Sequence, residues 1–167
     1  MADTVGMEHS TLAQLVQDRT LDAELAALLW LLADGGTPLV VSGRASLEDR
    51  SAIAGAILSA SPSRAWTLLD ADHEALTTEQ LSATMRGGVG LGLTLDARDL
   101  RTVMSRLEGQ PGGLPADAVR RLGVVLVAER ADAGLRSPAV HYLRQAERDA
   151  QGHVQRRPPA VLATWDA

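Results

Sequence analysis

The chain of 167 residues contains no cysteine, no lysine and no phenylalanine. Without cysteine there is no disulfide and no thiolate nucleophile or ligand, a composition that suits a reducing compartment. Without lysine every basic residue is an arginine, so no lysine amine is on hand to neutralise an anion. Three Trp and one Tyr are the only aromatics, too few for a platform that stacks bases. Four scattered His argue against a structural zinc site. The 16 basic and 21 acidic side chains leave a net charge of −5 with no long basic run, so nucleic acid is a poor partner. The longest apolar stretch, Leu25 to Ala33, is too short to cross a bilayer. Met1-Ala-Asp-Thr-Val-Gly6 lacks the basic start and apolar centre of a signal peptide. A cytoplasmic protein that inserts into no membrane is the expectation.

What is present is a 46% hydrophobic chain, enough for one well-cored domain. Residues 1–8 read as a flexible tail and 9–167 as a single domain. Ser10 to Asp18 has Leu12, Leu15 and Val16 at helical spacing. Thr20 is placed to cap a helix over Leu21 to Ala33, with Leu21, Leu25, Leu28, Leu29 and Leu32 inward and Gly35-Gly36 ending it. Leu39 to Val41 reads as a buried strand, followed by a helix over Leu47 to Ser59 with Leu47, Ala54, Ile57 and Leu58 inward. Ala65 to Leu69 is a second buried strand. A helix over Thr77 to Arg86, a strand over Leu91 to Leu95 and a helix over Arg98 to Glu108 come next. A short helix started by Pro115 leads to the strongest strand, Leu122 to Ala128. Strands over Ala139 to Glu147 and Val154 to Trp165 flank the turn signal Asp149-Ala-Gln-Gly152, and Pro158-Pro159 puts the last strand at a sheet edge. Alternation of strands and helices predicts an α/β fold: a mostly parallel sheet flanked by helices, with a C-terminal antiparallel β-hairpin.

The segment after the first strand has the strand–glycine–helix layout of a phosphate-binding P-loop, G-x-x-x-x-G-K-[ST]. In register from Gly43 it reads Gly43-Arg44-Ala45-Ser46-Leu47-Glu48-Asp49-Arg50. Glu48 replaces the second glycine, Asp49 the lysine, and Arg50 the magnesium-binding hydroxyl, with Ser51 next door. Ser46 and Asp49 instead have the spacing of a capping box. Glu48 and Asp49 then sit at the positive end of the helix dipole, so the anion site is expected to be filled by carboxylates of the chain itself. A triphosphate would meet negative charge there, at a cost of roughly 4 kcal/mol for each like pair about 4 Å apart at an effective dielectric of about 20. Arg44 and Arg50 offset part of it.

Asp70, Asp72, His73 and Glu74 cluster at the carboxyl end of a strand, where α/β folds place sites. The choices are a metal site of a small α/β enzyme or a solvated loop beside a helix cap, and the second is favoured. Asp96 ends the next strand, either a displaced general base or a polar strand-end residue. Trp30, Trp66 and Trp165 are expected in the core or at subunit contacts. His141 and His153 on the hairpin read as structural.

The order of these pieces resembles the motor domain of the type II/type IV secretion and type IV pilus ATPases. Thr20-Leu-Asp-Ala-Glu-Leu-Ala-Ala-Leu-Leu-Trp30 is similar to the helix leading into that domain, and residues 37–51 sit where the family has its Walker A loop. Ala65-Trp-Thr-Leu-Leu-Asp70 resembles its aspartate box, with Leu69 in place of the glutamate. Gly87-Gly-Val-Gly-Leu-Gly-Leu-Thr-Leu-Asp-Ala97 resembles its histidine box, with Asp96 in place of the histidine. The resemblance covers roughly residues 10–166, and the segment that carries the Walker B strand in the family is missing between Asp70 and Thr77.

This resemblance implies a RecA-like fold, shortened and catalytically degenerate, because phosphoryl transfer depends on positioned positive charge and metal. It implies no catalytic residue and no required cofactor, with Gly43, Arg44, Ser46, Asp49, Arg50 and Ser51 as the remnant of an ATP–magnesium loop. The role implied is that of a scaffold or regulatory protein partner of an active secretion or pilus ATPase, or of a pilus assembly component, with self-association possible through the ring-forming surface. The alternative is a residual ATP-binding subunit in a mixed ring.

Overall fold

The computed structural model describes residues 10–73, 77–109, 113–145, 147–151, 154–155 and 157–164. Helices α1 (Leu12–Gln17) and α2 (Ala23–Asp34) lead into strand β1 (Leu39–Ser42). Helix α3 (Leu47–Ser59), strand β2 (Trp66–Asp70), helix α4 (Thr78–Arg86) and strand β3 (Gly90–Leu95) follow. Helices α5 (Leu100–Gly109) and α6 (Ala116–Arg120) connect to strands β4 (Val124–Ala131) and β5 (Gly134–Tyr142). Short strands β6 (Glu147–Arg148) and β7 (Val154–Gln155) precede β8 (Ala160–Thr164).

Six strands form one sheet in the order β2-β3-β1-β4-β5-β8. β2, β3, β1 and β4 are parallel, whereas β5 and β8 are antiparallel to their neighbours. The central strands are apolar because both faces are covered. Leu39, Val41, Val124 and Leu126 point to the face carrying α1, α2 and α3, where they meet Leu25, Leu29, Ile53 and Ile57. Val40, Val125, Leu91, Leu93 and Leu95 point to the other face, against Leu81, Val103, Leu107 and Val119. Gly92 lets α3 approach the sheet: a Cβ there would lie 2.7 Å from Leu58 and 2.9 Å from Leu68.

The expected α/β architecture is present, with α3 starting and ending at the expected residues. Several local expectations are corrected. The second helix begins at Ala23 and is capped by Asp22, whose carboxylate accepts from the Leu25 amide at 2.7 Å, while Thr20 is buried before it. Leu47 is 42% exposed, and Arg50 and Ile53 take the inward positions instead. β2 is half-buried because it is the sheet's edge, with one neighbour only. Of the two placements expected for the tryptophans, Trp30 and Trp66 do not take the core: both are more than one-third exposed, and Trp30 donates through Nε1 to the Ala60 carbonyl. Trp165, His153 and Glu74 lie outside the described residues.

The C-terminal half differs most. β4 runs on to Ala131 and turns through Asp132-Ala133 into β5, so the first antiparallel pair is β4–β5. β8 pairs with β5 and is the opposite edge, as prolines 158 and 159 just before it allow. The turn after Asp149 joins only β6 and β7, a separate two-stranded ribbon. No helix among the described residues is long and apolar enough to cross a membrane.

Candidate functional site

β1 is followed by α3 on one face of the sheet, whereas its neighbour β3 is followed by α5 and α6 on the other. Chain leaving adjacent parallel strands in opposite directions opens a crevice beyond their carboxyl ends, the usual site position in such sheets. Gly43, Asp96 and the loop after Asp70 border this crevice.

The crevice is occupied by side chains of the protein itself. Arg50, one turn into α3, is 5% exposed. Its Nη1 donates to the carbonyls of Ala45 (2.6 Å) and Gly43 (3.3 Å), and its Nη2 donates to Asp72 Oδ2 at 3.4 Å. Asp72 Oδ2 also accepts from the Asp96 amide at 2.7 Å. Arg106, from α5, lies 3.0 Å from Asp72 Oδ1 as an ion pair, off the line of a hydrogen bond, and donates to the Asp96 carbonyl. One carboxylate thus joins α3, the loop after β2, the end of β3 and α5.

The loop is the electrical opposite of a phosphate cradle. In a P-loop, backbone N–H groups face the ligand. Here the Gly43 amide donates to the Ala97 carbonyl (2.9 Å) and the Ala45 amide to the Ala128 carbonyl (3.2 Å), while the carbonyls of both residues face a guanidinium. Gly43 has φ +115°, and a Cβ on it would overlap the Ala128 oxygen, so the loop is pressed onto β4. A triphosphate with magnesium does not fit these residues.

The filling group is therefore not the carboxylate pair expected at the helix start. Ser46 caps α3 by accepting from the Asp49 amide at 3.1 Å. The Asp49 carboxylate, expected to close the capping box, is gripped through both oxygens by Arg130 of β4. Partial burial opposes the charge of Asp49, but bonds from Arg130 and Ser46 outweigh it and its pKa falls. The same pair raises the pKa of Arg130. Glu48 and Arg44 are exposed, and Ser51 is half-buried.

Asp70 holds a local turn. Its Oδ1 accepts from the Asp72 amide at 3.1 Å and its Oδ2 lies 2.7 Å from His73 Nδ1. Partial burial again opposes ionisation, and these two contacts prevail, so its pKa is lowered. Asp96 is exposed and enters the network through its backbone. Among the described residues no three His, Asp or Glu side chains converge as a metal site.

The structure therefore brings Gly43, Ser46, Asp49, Arg50, Asp70 and Asp96 to one end of the sheet, with Arg44 and Ser51 beside them. Sequence reasoning grouped Asp72 with its neighbours without singling it out, and did not place Arg106 at this site. Arg50 had a signal: it stands at i−3, i−4 and i−7 from the buried Ile53, Ala54 and Ile57. Nothing local marks Arg106.

Fold and site together define an α/β domain with a mixed six-stranded sheet and a self-filled crevice at its switch point. The chain matches no protein-family model and no curated protein sequence.

Proposed function

We propose that this protein is a noncatalytic domain of the secretion and type IV pilus ATPase type, acting as scaffold or regulatory partner of such a machine. The observation that supports a noncatalytic role is Arg50, bound by the loop carbonyls of Gly43 and Ala45 and by Asp72. A nucleotide tail would have to expel a buried cation and reverse the amides and carbonyls of both loop residues. The assignment to secretion and pilus machines rests on the order of the sequence motifs.

Calorimetric titration with ATP and magnesium tests the first half: no saturable binding is expected below about 1 mM, a free energy of about −4 kcal/mol. Micromolar binding seated on the loop would make the chain a nucleotide-binding subunit of a mixed ring. Mixing with the purified secretion or pilus ATPase and assembly components of the same cell tests the second half. Failure to co-elute with any of them would overturn the scaffold role.

A further inference from the structure

The sheet's other end carries a cavity of about 200 Å³, formed where α2 ends, β1 begins and α6 passes into β4. Arg120, Arg121, Tyr142, Gln145 and two glycines, Gly36 and Gly123, are among the residues that line it. We propose that this cavity binds an oxyanion of the phosphate class, as free phosphate or as the phosphate group of a small ester.

The cavity carries positive charge that no carboxylate among the described residues offsets. The protein carries a net charge of −5, and six of its arginines find carboxylates: Arg50 and Arg106 on Asp72, Arg98 on Asp99, Arg130 on Asp49, Arg136 on Glu129 and Arg157 on Glu147, while Arg44 and Arg101 are exposed to water. The two arginines of the cavity do not. Among the described residues Arg120 Nη1 donates to neutral carbonyls, those of Arg157 (3.0 Å) and Arg144 (3.3 Å), which fix its position and leave its charge in place. The Arg121 guanidinium has no hydrogen bond or ion pair among the described residues. No Asp or Glu is among the described residues that line the cavity.

Two planar guanidiniums beside one cavity match the oxygens of a phosphate, which arginine can grip in pairs. Tyr142 and Gln145 add neutral donors. The α2 carbonyls that would repel an anion are capped by the chain: those of Leu31, Leu32 and Ala33 accept from the amides of Gly35, Thr37 and Gly36. The glycines make the walls thin. Gly123 has φ +70°, and a Cβ on it would strike the Thr37 side chain, so a larger residue would force the two loops apart.

The test is thermal unfolding and calorimetry on the full chain at constant ionic strength, with inorganic phosphate in one arm, glycerol 3-phosphate in a second and chloride in a third. A saturable rise in midpoint with either phosphate is expected, and none with chloride. Tighter binding of the ester would identify an esterified ligand; equal or tighter binding of inorganic phosphate would identify the free ion. Arg121→Gln, a half-buried side chain with no internal partner among the described residues, should weaken binding at least about tenfold, equivalent to about 1.4 kcal/mol. Arg101→Gln, an exposed arginine on α5, should leave it unchanged. No saturable response to either phosphate, the same response in chloride, or full binding by Arg121→Gln overturns the proposal. Because ATP also carries phosphates, ATP binding lost in Arg121→Gln would belong to this cavity, and ATP binding that survives the change would belong to the loop at Gly43.

Discussion

A guanidinium taken out of water must be met by oxygen atoms, and Arg50 meets three, from Gly43, Ala45 and Asp72. Such a pair adds little net stability over an apolar replacement, but removing one partner strands the other in a low dielectric. Asp72→Ala should therefore lower the unfolding free energy by about 3–5 kcal/mol in urea denaturation. Arg106→Ala removes a half-exposed partner of the same carboxylate and should cost about 1 kcal/mol or less. Equal losses for the two would show that Asp72 serves Arg106 as much as Arg50. The Arg50/Asp72 double-mutant cycle should be non-additive, since the groups touch. Helical spacing alone placed Arg50 on the buried side of its helix. It could not name the partner, because a carboxylate 22 residues away is brought in by strand order.

At the scale of elements, the first turns and close approaches decide where the chain bends. Asp22→Ala should destabilise by about 1 kcal/mol through loss of the α2 cap. Gly43→Ala should cost about 3 kcal/mol or more, since both the left-handed φ and the contact with Ala128 oppose a side chain; wild-type stability in that variant would mean the loop is free to lift. The helix over Leu47–Ser59 was legible because a serine cap precedes it and an apolar stripe runs through it. The beginning of β5 was not legible. Gly134-Leu-Arg-Ser-Pro138 reads as a turn, and a proline normally forbids an interior strand. It is tolerated because Pro138 falls where the β4–β5 register shifts, between the Val127–Ala139 and Glu129–Arg136 pairs.

For the whole molecule, charge sets the response to acid. Asp34 and Asp99 have lowered pKa values, Asp34 chiefly through bonds from Ser61 and Ser63, Asp99 through the Thr102 amide and hydroxyl. Asp49 and Asp70 are lowered as well. Each of these carboxyls binds its proton more weakly in the fold than in the unfolded chain, so its contribution is complete above the unfolded pKa, about 4, and is lost as pH falls through the folded value. His141 acts in the same sense at higher pH. Burial lowers its pKa, so the unfolded chain takes up the proton first and stability falls as pH drops below about 6.5. The urea midpoint should hold near pH 7, decline gently below about pH 6.5 and collapse below about pH 4. His141→Gln should remove only the gentle decline. A midpoint that rises as the pH is lowered from about 7 to about 5 would contradict the sign for His141, and one that rises from about 4 to about 2 the sign for the carboxyls.

Capping residues, apolar runs and helical spacing act over a few neighbouring positions, and from them the chain alone determined its α/β layering, the buried first strand, the self-capped third helix and the absence of a lysine-bearing loop. The tertiary structure decided what fills the crevice. The pairing of Arg50 with Asp72, of Asp72 with Arg106 and of Asp49 with Arg130, the last across 81 residues, exists only once the sheet has set β1 between β3 and β4. Ion pairs are fixed by distance in space, and no local pattern in the chain encodes that distance.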